Sequence, residues 1–315
     1  MKKIFALMFL LCAIPVAQVA QEPRPGTIPA TPQAAAGTQV IRSHVELVNV
    51  LMTVTDKKNR MVIDKTKDDF HVYEDGKPQT VEYFSRESDL PLRIAILIDT
   101  SNSVRNRLRF EQEAAIEFLI NTIRKGKDLA FVVGFDMEPQ LVIDYSDDRE
   151  KLSSAIHSLQ AGGVTSMYDA VYFSCKEKLY YFPPPEPYLR RVMILISDGQ
   201  DNQSEHTREE ALAMAQRAEV TIFAISTNRS GAEEKGDRIL KRMAEETGGR
   251  VFFPFEATDL SEDFQAIGRE LRSQYSLAYF STNKAHDGTF RKILIEPLGK
   301  NLQVRSKAGY FALTQ

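Results

Sequence analysis

The sequence predicts an α/β chain in which a doubly wound, mostly parallel sheet is inserted into a small all-β sandwich formed by the N- and C-terminal flanks. Three observations lead there. Between Leu92 and Ser273, apolar strand-like runs alternate with segments of helical period, the pattern of a sheet covered by helices on both faces. On each side of that region the period falls to two, as in strands with one buried face. Neither flank holds enough strands for a stable sheet, and each would leave unpaired edges. Pairing the two sets into one sandwich removes both deficits; two separate appendages packed on the central domain are the alternative.

The chain opens with Met1-Lys2-Lys3 and an apolar run from Ile4 to Val16, a charged start followed by a core too short to span a bilayer comfortably. Residues 1–20 read as an export signal cut near Ala17 to Ala20, which implies a periplasmic or secreted protein. Gln18 fits the −3 position of a cut after Ala20 poorly, so an uncleaved anchor is the rival. Leu11 is too large for a lipobox at Cys12. No other segment reads as a membrane span, so none is expected in the mature chain. Residues 21–40, rich in Pro, Ala, Gln and Thr, read as a disordered linker.

Residues 41–90 form the N-terminal β segment. Val48, Val50, Met52 and Val54 alternate with Asn49, Leu51 and Thr53, and shorter strands fit Phe70–Tyr73 and Thr80–Phe84. Glu74-Asp75-Gly76-Lys77 supplies the turn between them. Residues 92–273 form the α/β domain. Its strands are expected at 93–98, 128–135, 140–143, 190–196, 220–226 and 250–254, and its helices at 105–123, 149–159, 168–181, 208–218, 237–247 and 260–272. Phe182 to Pro187 is a stiff, proline-rich loop. Residues 274–315 form the C-terminal β segment, with strands at 274–281, 290–296 and 302–306 and a turn at His286-Asp287-Gly288.

With 315 residues, 43% hydrophobic and 26% charged, the chain is of globular composition. A net charge of -3 with scattered basic residues gives no reason to expect nucleic acid or an anionic membrane surface as partner. Oligomeric state is not encoded in any pattern found. Cys12 leaves with the signal, so Cys175 has no intrachain partner. Lying at i, i+4 spacing with Val171 and Leu179, it reads as a buried helix residue.

Ile94-Ala95-Ile96-Leu97-Ile98-Asp99-Thr100-Ser101-Asn102-Ser103 is a buried-strand run that ends in a carboxylate and two hydroxyls. In a doubly wound sheet that cluster falls at the carboxyl end of a central strand, where ligand sites form. Asp99, Ser101 and Ser103 offer oxygen and neither nitrogen nor sulfur, the donor set of a hard cation such as Mg²⁺ or Mn²⁺. Taken alone, the stretch also reads as a turn or a helix cap.

The D-x-S-x-S spacing straight after such a strand resembles the von Willebrand factor A (VWA) domains and their metal-ion-dependent adhesion site (MIDAS), whose pattern continues with a Thr on a second loop and an Asp on a third. Gly162-Gly163-Val164-Thr165-Ser166-Met167-Tyr168-Asp169-Ala170 resembles the second loop, with Thr165 as ligand. Val192 to Gly199 is another buried strand, and it ends in Asp198, as the third loop requires. The likeness is to exported bacterial proteins described as VWFA-related, and it extends into both flanks. It implies a Rossmann-like fold and a Mg²⁺ or Mn²⁺ site in which Ser101, Ser103 and Thr165 bind directly while one or both of Asp99 and Asp198 act through water. A cation with few anionic ligands stays electrophilic and accepts a carboxylate from a partner protein. The implied function is a metal-dependent protein-binding or adhesion module, not an enzyme.

Asn102, Ser166, Asp201 and Asn202 are the candidates for the rim of that site. Thr165 would also pass as a helix N-cap, and Asn202 as a cap of the next helix. Asp169, one turn into a helix, reads as a surface carboxylate that complements the dipole.

Enzymatic readings fit less well. An aspartyl phosphotransferase needs a second acid two residues after Asp99, where Ser101 stands. The five histidines show no paired zinc spacing, and neither a G-x-S-x-G elbow nor a phosphate-binding G-x-x-x-x-G-K loop is present. Metal-assisted hydrolysis is the enzymatic alternative, and a structural scaffold of the cell envelope is the other. The signal reading makes the first prediction. Mass spectrometry of the protein from its native host is expected to find a chain starting just beyond Ala17 to Ala20. An intact Met1 would instead establish the anchored form.

Overall fold

The computed structural model describes residues 47–87, 89–180, 189–228, 232–254 and 257–314. The expected signal, the linker and the proline-rich loop lie outside them. The alternation of Val48, Val50, Met52 and Val54 produces strand β1 (Leu47–Asp56), with those four side chains buried on one face. Strands β2 (Phe70–Glu74) and β3 (Lys77–Gln79) form a two-residue hairpin. Asp75 and Gly76 at its tip take φ of 47° and 77°, the left-handed pair that matches strand twist. The turn thus joins β2 to an unforeseen strand and not to the expected one at 80–84, which forms β4 (Val81–Glu87) in a different sheet, paired with the strand Gln274–Phe280 of the C-terminal flank.

The central domain contains β5 (Leu92–Asp99), β6 (Leu129–Phe135), β7 (Pro139–Ser146), β8 (Arg190–Ser197), β9 (Val220–Ser226) and β10 (Val251–Phe252). Their order is β10-β9-β8-β5-β6-β7, with every pair parallel except β6 and β7. Each of the eight residues of β5 is buried, as a strand covered on both faces requires. Ile94, Ile96 and Ile98 join a core with α1 (Leu108–Thr122), α2 (Arg149–His157) and α6 (Ala257–Leu271). Ala95 and Leu97 join the opposite core with α3 (Met167–Phe173), α4 (Arg208–Arg217) and α5 (Lys235–Glu246).

Several elements differ from expectation: β7 is twice as long as the expected 140–143, and α6 begins three residues early. The first helix starts at Leu108, three residues late, because Asn102–Val104 closes a 3₁₀ turn that ties up the start of the segment. The third is α-helical only to Phe173 and then widens into a π-helix over Ser174–Tyr180, which still buries Cys175 and Leu179. The strand expected at 250–254 shrinks to two residues.

The C-terminal flank supplies β11 (Gln274–Phe280), β12 (Phe290–Pro297), β13 (Leu302–Ser306) and the unforeseen β14 (Gly309–Phe311). The two flanks interleave completely. One sheet runs β13-β1-β11-β4 and the other β14-β12-β2-β3, so each mixes strands from both ends of the chain. Val50, Met52, Phe70, Val72, Leu277 and Ile295 fill the core between them. Within it Glu74 accepts hydrogen bonds from Tyr279 (2.9 Å), Ser281 (2.6 Å) and Tyr310 (3.0 Å) and faces the buried Arg291.

The chain leaves the sandwich and returns to it at one place, and Asp128 holds that place. Wholly buried, it accepts from the Leu92 amide at 2.9 Å, from Arg124 Nε at 2.8 Å and from Arg272 at 2.9 Å. It thus joins the first residue of β5 to the residue just after α6. Burial pushes its carboxyl up, but the bonds from Arg124 and Leu92 and the charge of Arg272 outweigh it and hold the group below the usual range. A depressed value means stability that is full above the ordinary carboxylate range and is lost as pH falls through the folded value. Asp128→Ala is therefore expected to destabilise the chain by about 3 kcal/mol near neutral pH, since it removes the buried carboxylate shared by Arg124, Arg272 and the Leu92 amide. Denaturant titration checks this, and a loss below about 1 kcal/mol would refute the clasp.

Candidate metal centre

Three loops meet at the carboxyl edge of the parallel sheet. The first follows β5. Asp99 is fully buried; its Oδ1 accepts from the Ser101 amide at 2.9 Å and its Oδ2 from the Ser197 hydroxyl at 2.8 Å. Ser101 Oγ and Ser103 Oγ lie 2.9 Å apart, the first buried and the second exposed. The loop therefore presents one carboxylate and a pair of adjacent hydroxyls.

The second loop is tied to the first through its backbone. Gly162 N donates to Thr100 O at 2.7 Å, and Asn102 donates to Gly163 O from both its amide and its side chain. Gly163 holds φ of 75° against Asp136 and Met137, where a side chain would be strained and crowded. Thr165 and Ser166 follow, both buried.

The third loop follows β8 and grips the second. Thr165 N donates to Asn202 Oδ1 at 3.0 Å, and the amides of Asn202 and Gln203 donate back to Thr165 O. Asp201 accepts from the Tyr168 amide at 2.9 Å and from the Ser204 hydroxyl at 2.7 Å, and Ser204 Oγ accepts from the Asp169 amide. Thus the first turn of α3 is capped from another loop, not by Thr165 or Ser166. Ser166 Oγ is buried without a hydrogen-bond partner. Asp198 lies partly exposed one residue beyond β8, and its charge acts on Asp99.

The structure thus unites Asp99, Ser101, Ser103, Thr165 and Asp198 at one edge, but it changes the parts assigned to their neighbours. Ser166 is wholly buried, so it does not stand on the rim. Asp201 and Asn202 spend their side chains clasping the second loop. Asn202 does not cap α4, whose N-cap is Thr207 in a capping box with Glu210. Asp169 is no idle surface carboxylate. It accepts from the amides of Glu205 and His206 and pairs with His206 Nδ1 at 2.7 Å, so it docks α3 onto the third loop.

Two residues escaped the sequence reading. Ser197 is fully buried and orients Asp99 while accepting from the Gly199 amide, a role hinted at only by its place at the strand end. Glu111, on the first turn of α1, is 1% exposed, and neither carboxyl oxygen has a hydrogen-bond partner. Burial pushes it up to about 8, Arg107 opposes this, and the charges of Asp99 and Asp198 add to the rise. No sequence pattern marks it, because its isolation is a product of packing.

The donor set fits a small hard cation. Oxygen is offered by two carboxylates and three hydroxyls, and Asp99 lies under the edge with more charge than its bonds offset. This is also how the chain compares with known proteins. The family model for the von Willebrand factor type A domain matches residues 94–269, more than half of the chain. The human von Willebrand factor A domain-containing protein 3B is 26% identical over 197 residues, covering 58% of this chain. The chain spans only 14% of that relative's length. Among solved structures, a von Willebrand factor type A protein from Catenulispora acidiphila covers 88% of this chain and 75% of its own, at 12% identity and a TM-score of 0.47. Proximal thread matrix protein 1 from the mussel byssus, with a zinc occupied MIDAS motif, covers 63% of this chain and 50% of its own, at 20% identity and a TM-score of 0.49.

The environment of Asp99 yields a stability prediction. Burial raises its carboxyl to about 6, against hydrogen bonds from Ser101 and Ser197 and with help from Asp198. A raised carboxyl favours the protonated fold, so stability is fullest below the unfolded value of 3.8 and falls as pH rises through about 6. Asp99→Asn in EDTA is expected to stabilise the protein by up to roughly 3 kcal/mol at neutral pH and by little at about pH 4. Denaturant titrations at both pH values test this; equal effects at the two would reject it.

Proposed function

The chain belongs to the von Willebrand factor type A domain family, a protein-interaction module, and on that premise we propose that its loop edge is a metal-dependent binding site for an acidic group of a partner protein. The observation that carries the reading is the meeting of the three loops around Asp99, whose buried carboxylate lies beside two adjacent hydroxyls. Ser101, Ser103 and Thr165 would hold Mg²⁺ or Mn²⁺ directly, and Asp99 and Asp198 would hold it through water. When bound, the cation supplies an electrophile that a partner carboxylate can ligate.

The chain's own residues do the rest. Ser197 and the Ser101 amide fix the orientation of Asp99. Asn102 sets the spacing of the first and second loops, and Asn202 and Asp201 that of the second and third. Because the clasps are the chain's own hydrogen bonds, the loops are tied to one another without the ion, which lowers the ordering cost of binding. The export signal read from residues 1–20 would place this site in the periplasm or outside the cell. Among the described residues no helix is long and apolar enough to cross a membrane.

A Mn²⁺ titration of the purified chain, expected to reach one ion per chain, tests the site, and a pull-down from envelope extract with Mg²⁺ or with EDTA tests the capture. Asp99→Ala is expected to abolish both with little loss of fold, and Thr165→Ala to weaken them less, since it deletes one neutral ligand. Partner capture that persists in EDTA would sink the site. Metal-dependent turnover of phosphate esters or peptides by the wild type, lost in Asp99→Ala, would replace adhesion with hydrolysis.

A further inference from the structure

A fourth chain segment joins the three loops at the edge. It is the turn between β6 and β7, Asp136 to Glu138, which stands beside the first loop because Thr100 N donates to Phe135 O at 2.9 Å. It also lies on the second loop, with Met137 Cγ 3.2 Å from where a β-carbon on Gly163 would sit. Asn102, between Ser101 and Ser103, donates to the carbonyl of the same glycine, and Thr165 follows two residues later. Met137 is thus one glycine away from the hydroxyls of the proposed metal site.

The turn brings apolar surface to the edge. Met137 is 63% exposed, and Val164, the neighbour of Gly163, is 38% exposed. One exposed apolar side chain is ordinary on a protein surface; two beside a single glycine at a binding edge mark a contact surface. The edge is also lopsided. β5 lies between β6 and β8, and on the β8 side the third loop exposes Gln200, Asn202, Gln203 and Glu205, all polar. On the β6 side Glu138 is exposed and Asp136 half-buried, so negative charge flanks Met137.

Together these features describe a partner. A cation held by Ser101, Ser103 and Thr165 takes an oxygen of the partner's carboxylate. A side chain next to that carboxylate, on the β6 side, meets Met137 and Val164, where apolar surface leaves water on contact. Asp136 and Glu138 repel a second acid at the same place, so an acidic neighbour is disfavoured. The unbranched thioether of Met137 adapts to different shapes, which selects a class of side chain and not one residue.

We propose that Met137 and Val164 form an apolar shelf that selects partner segments whose metal-bound Asp or Glu has a large apolar side chain close by in sequence. This rests on the metal-dependent reading of the edge and adds to it the chemistry of the partner. Half-burying one Leu-sized side chain on the shelf is worth about tenfold in affinity.

A displayed library of short peptides with one fixed Asp and random neighbours, panned on the purified chain in Mn²⁺ and eluted with EDTA, tests it. Leu, Ile, Met and Phe are expected next to the Asp at about fivefold or more their starting frequency. The double variant Met137→Ser, Val164→Ser changes two exposed loop positions. It should lose that enrichment while still taking up one Mn²⁺ per chain and still yielding EDTA-eluted peptides. Peptides without apolar enrichment, or equal enrichment on the two chains, would overturn the shelf and leave the metal site standing. A wild-type chain that binds Mn²⁺ but yields no EDTA-eluted peptide would overturn the capture of acidic groups, and the shelf with it.

Discussion

The loop edge is governed by one constraint, a carboxylate placed at the end of a strand that has no solvent on either face. Asp99 cannot move away from the core, because β5 is paired on both sides and buried along its whole length. Two hydrogen bonds, from Ser101 N and Ser197 Oγ, replace only part of the hydration an ionised carboxylate loses. The loops around it are arranged to supply more oxygen, not cationic side chains. A Lys or Arg in that position would neutralise the group permanently; hydroxyls leave the charge available to an ion.

The insertion topology fixes the other end of the domain, away from the loop edge. A domain inserted between interleaved strands has both of its ends fixed to one body. Here the fixing is explicit, since Asp128 binds the incoming Leu92 amide and the outgoing Arg272 together. A second tie lies nearby, where the buried Glu270 of α6 accepts from Thr53 of β1 and pairs with Arg250 and Arg305. The final helix of the domain is therefore bonded to the sandwich along its last turn. Motion of that helix relative to β1 would break charged contacts that burial makes costly to lose.

Much of this was legible in the sequence, for reasons that can be stated residue by residue. The runs at Ile94–Ile98 and Val192–Ile196 are unambiguous because the middle of a strand buried on both faces is continuously apolar, with polar residues confined to its ends. The period-two pattern around Val50 and the Asp75-Gly76 turn are local signals, and the shortage of strands on each flank made their pairing the simplest solution. What stayed hidden depends on contacts distant in sequence. Strand β14 is three residues long and exists only because β12 offers an edge. Asp169 looked superficial because its partners, Glu205 and His206, lie a loop away. Ser166 looked like a rim residue because its neighbour Thr165 did, yet the first turn of α3 folds it inward. The π-helical turn after Phe173 carries no composition of its own; it keeps Cys175 and Leu179 buried where a regular α-helix had been expected.

Glu111 completes the electrostatics of the edge. Three carboxyl groups, Asp99, Asp198 and Glu111, act on one another there, and Arg107 Nε, 3.9 Å from Glu111, is the nearby cation. Were all three ionised, the charge of Glu111 would be offset by Arg107. Burial and the two aspartates push Glu111 to about 8, so near neutral pH it carries its proton and adds little charge. Arg107 is meanwhile engaged with the Thr227 carbonyl beyond β9, which holds its guanidinium at the start of α1. The edge then carries the charge of two aspartates, with the guanidinium of Arg107 behind them. On the proposed reading, a cation held mainly by hydroxyls would stay electrophilic toward a partner.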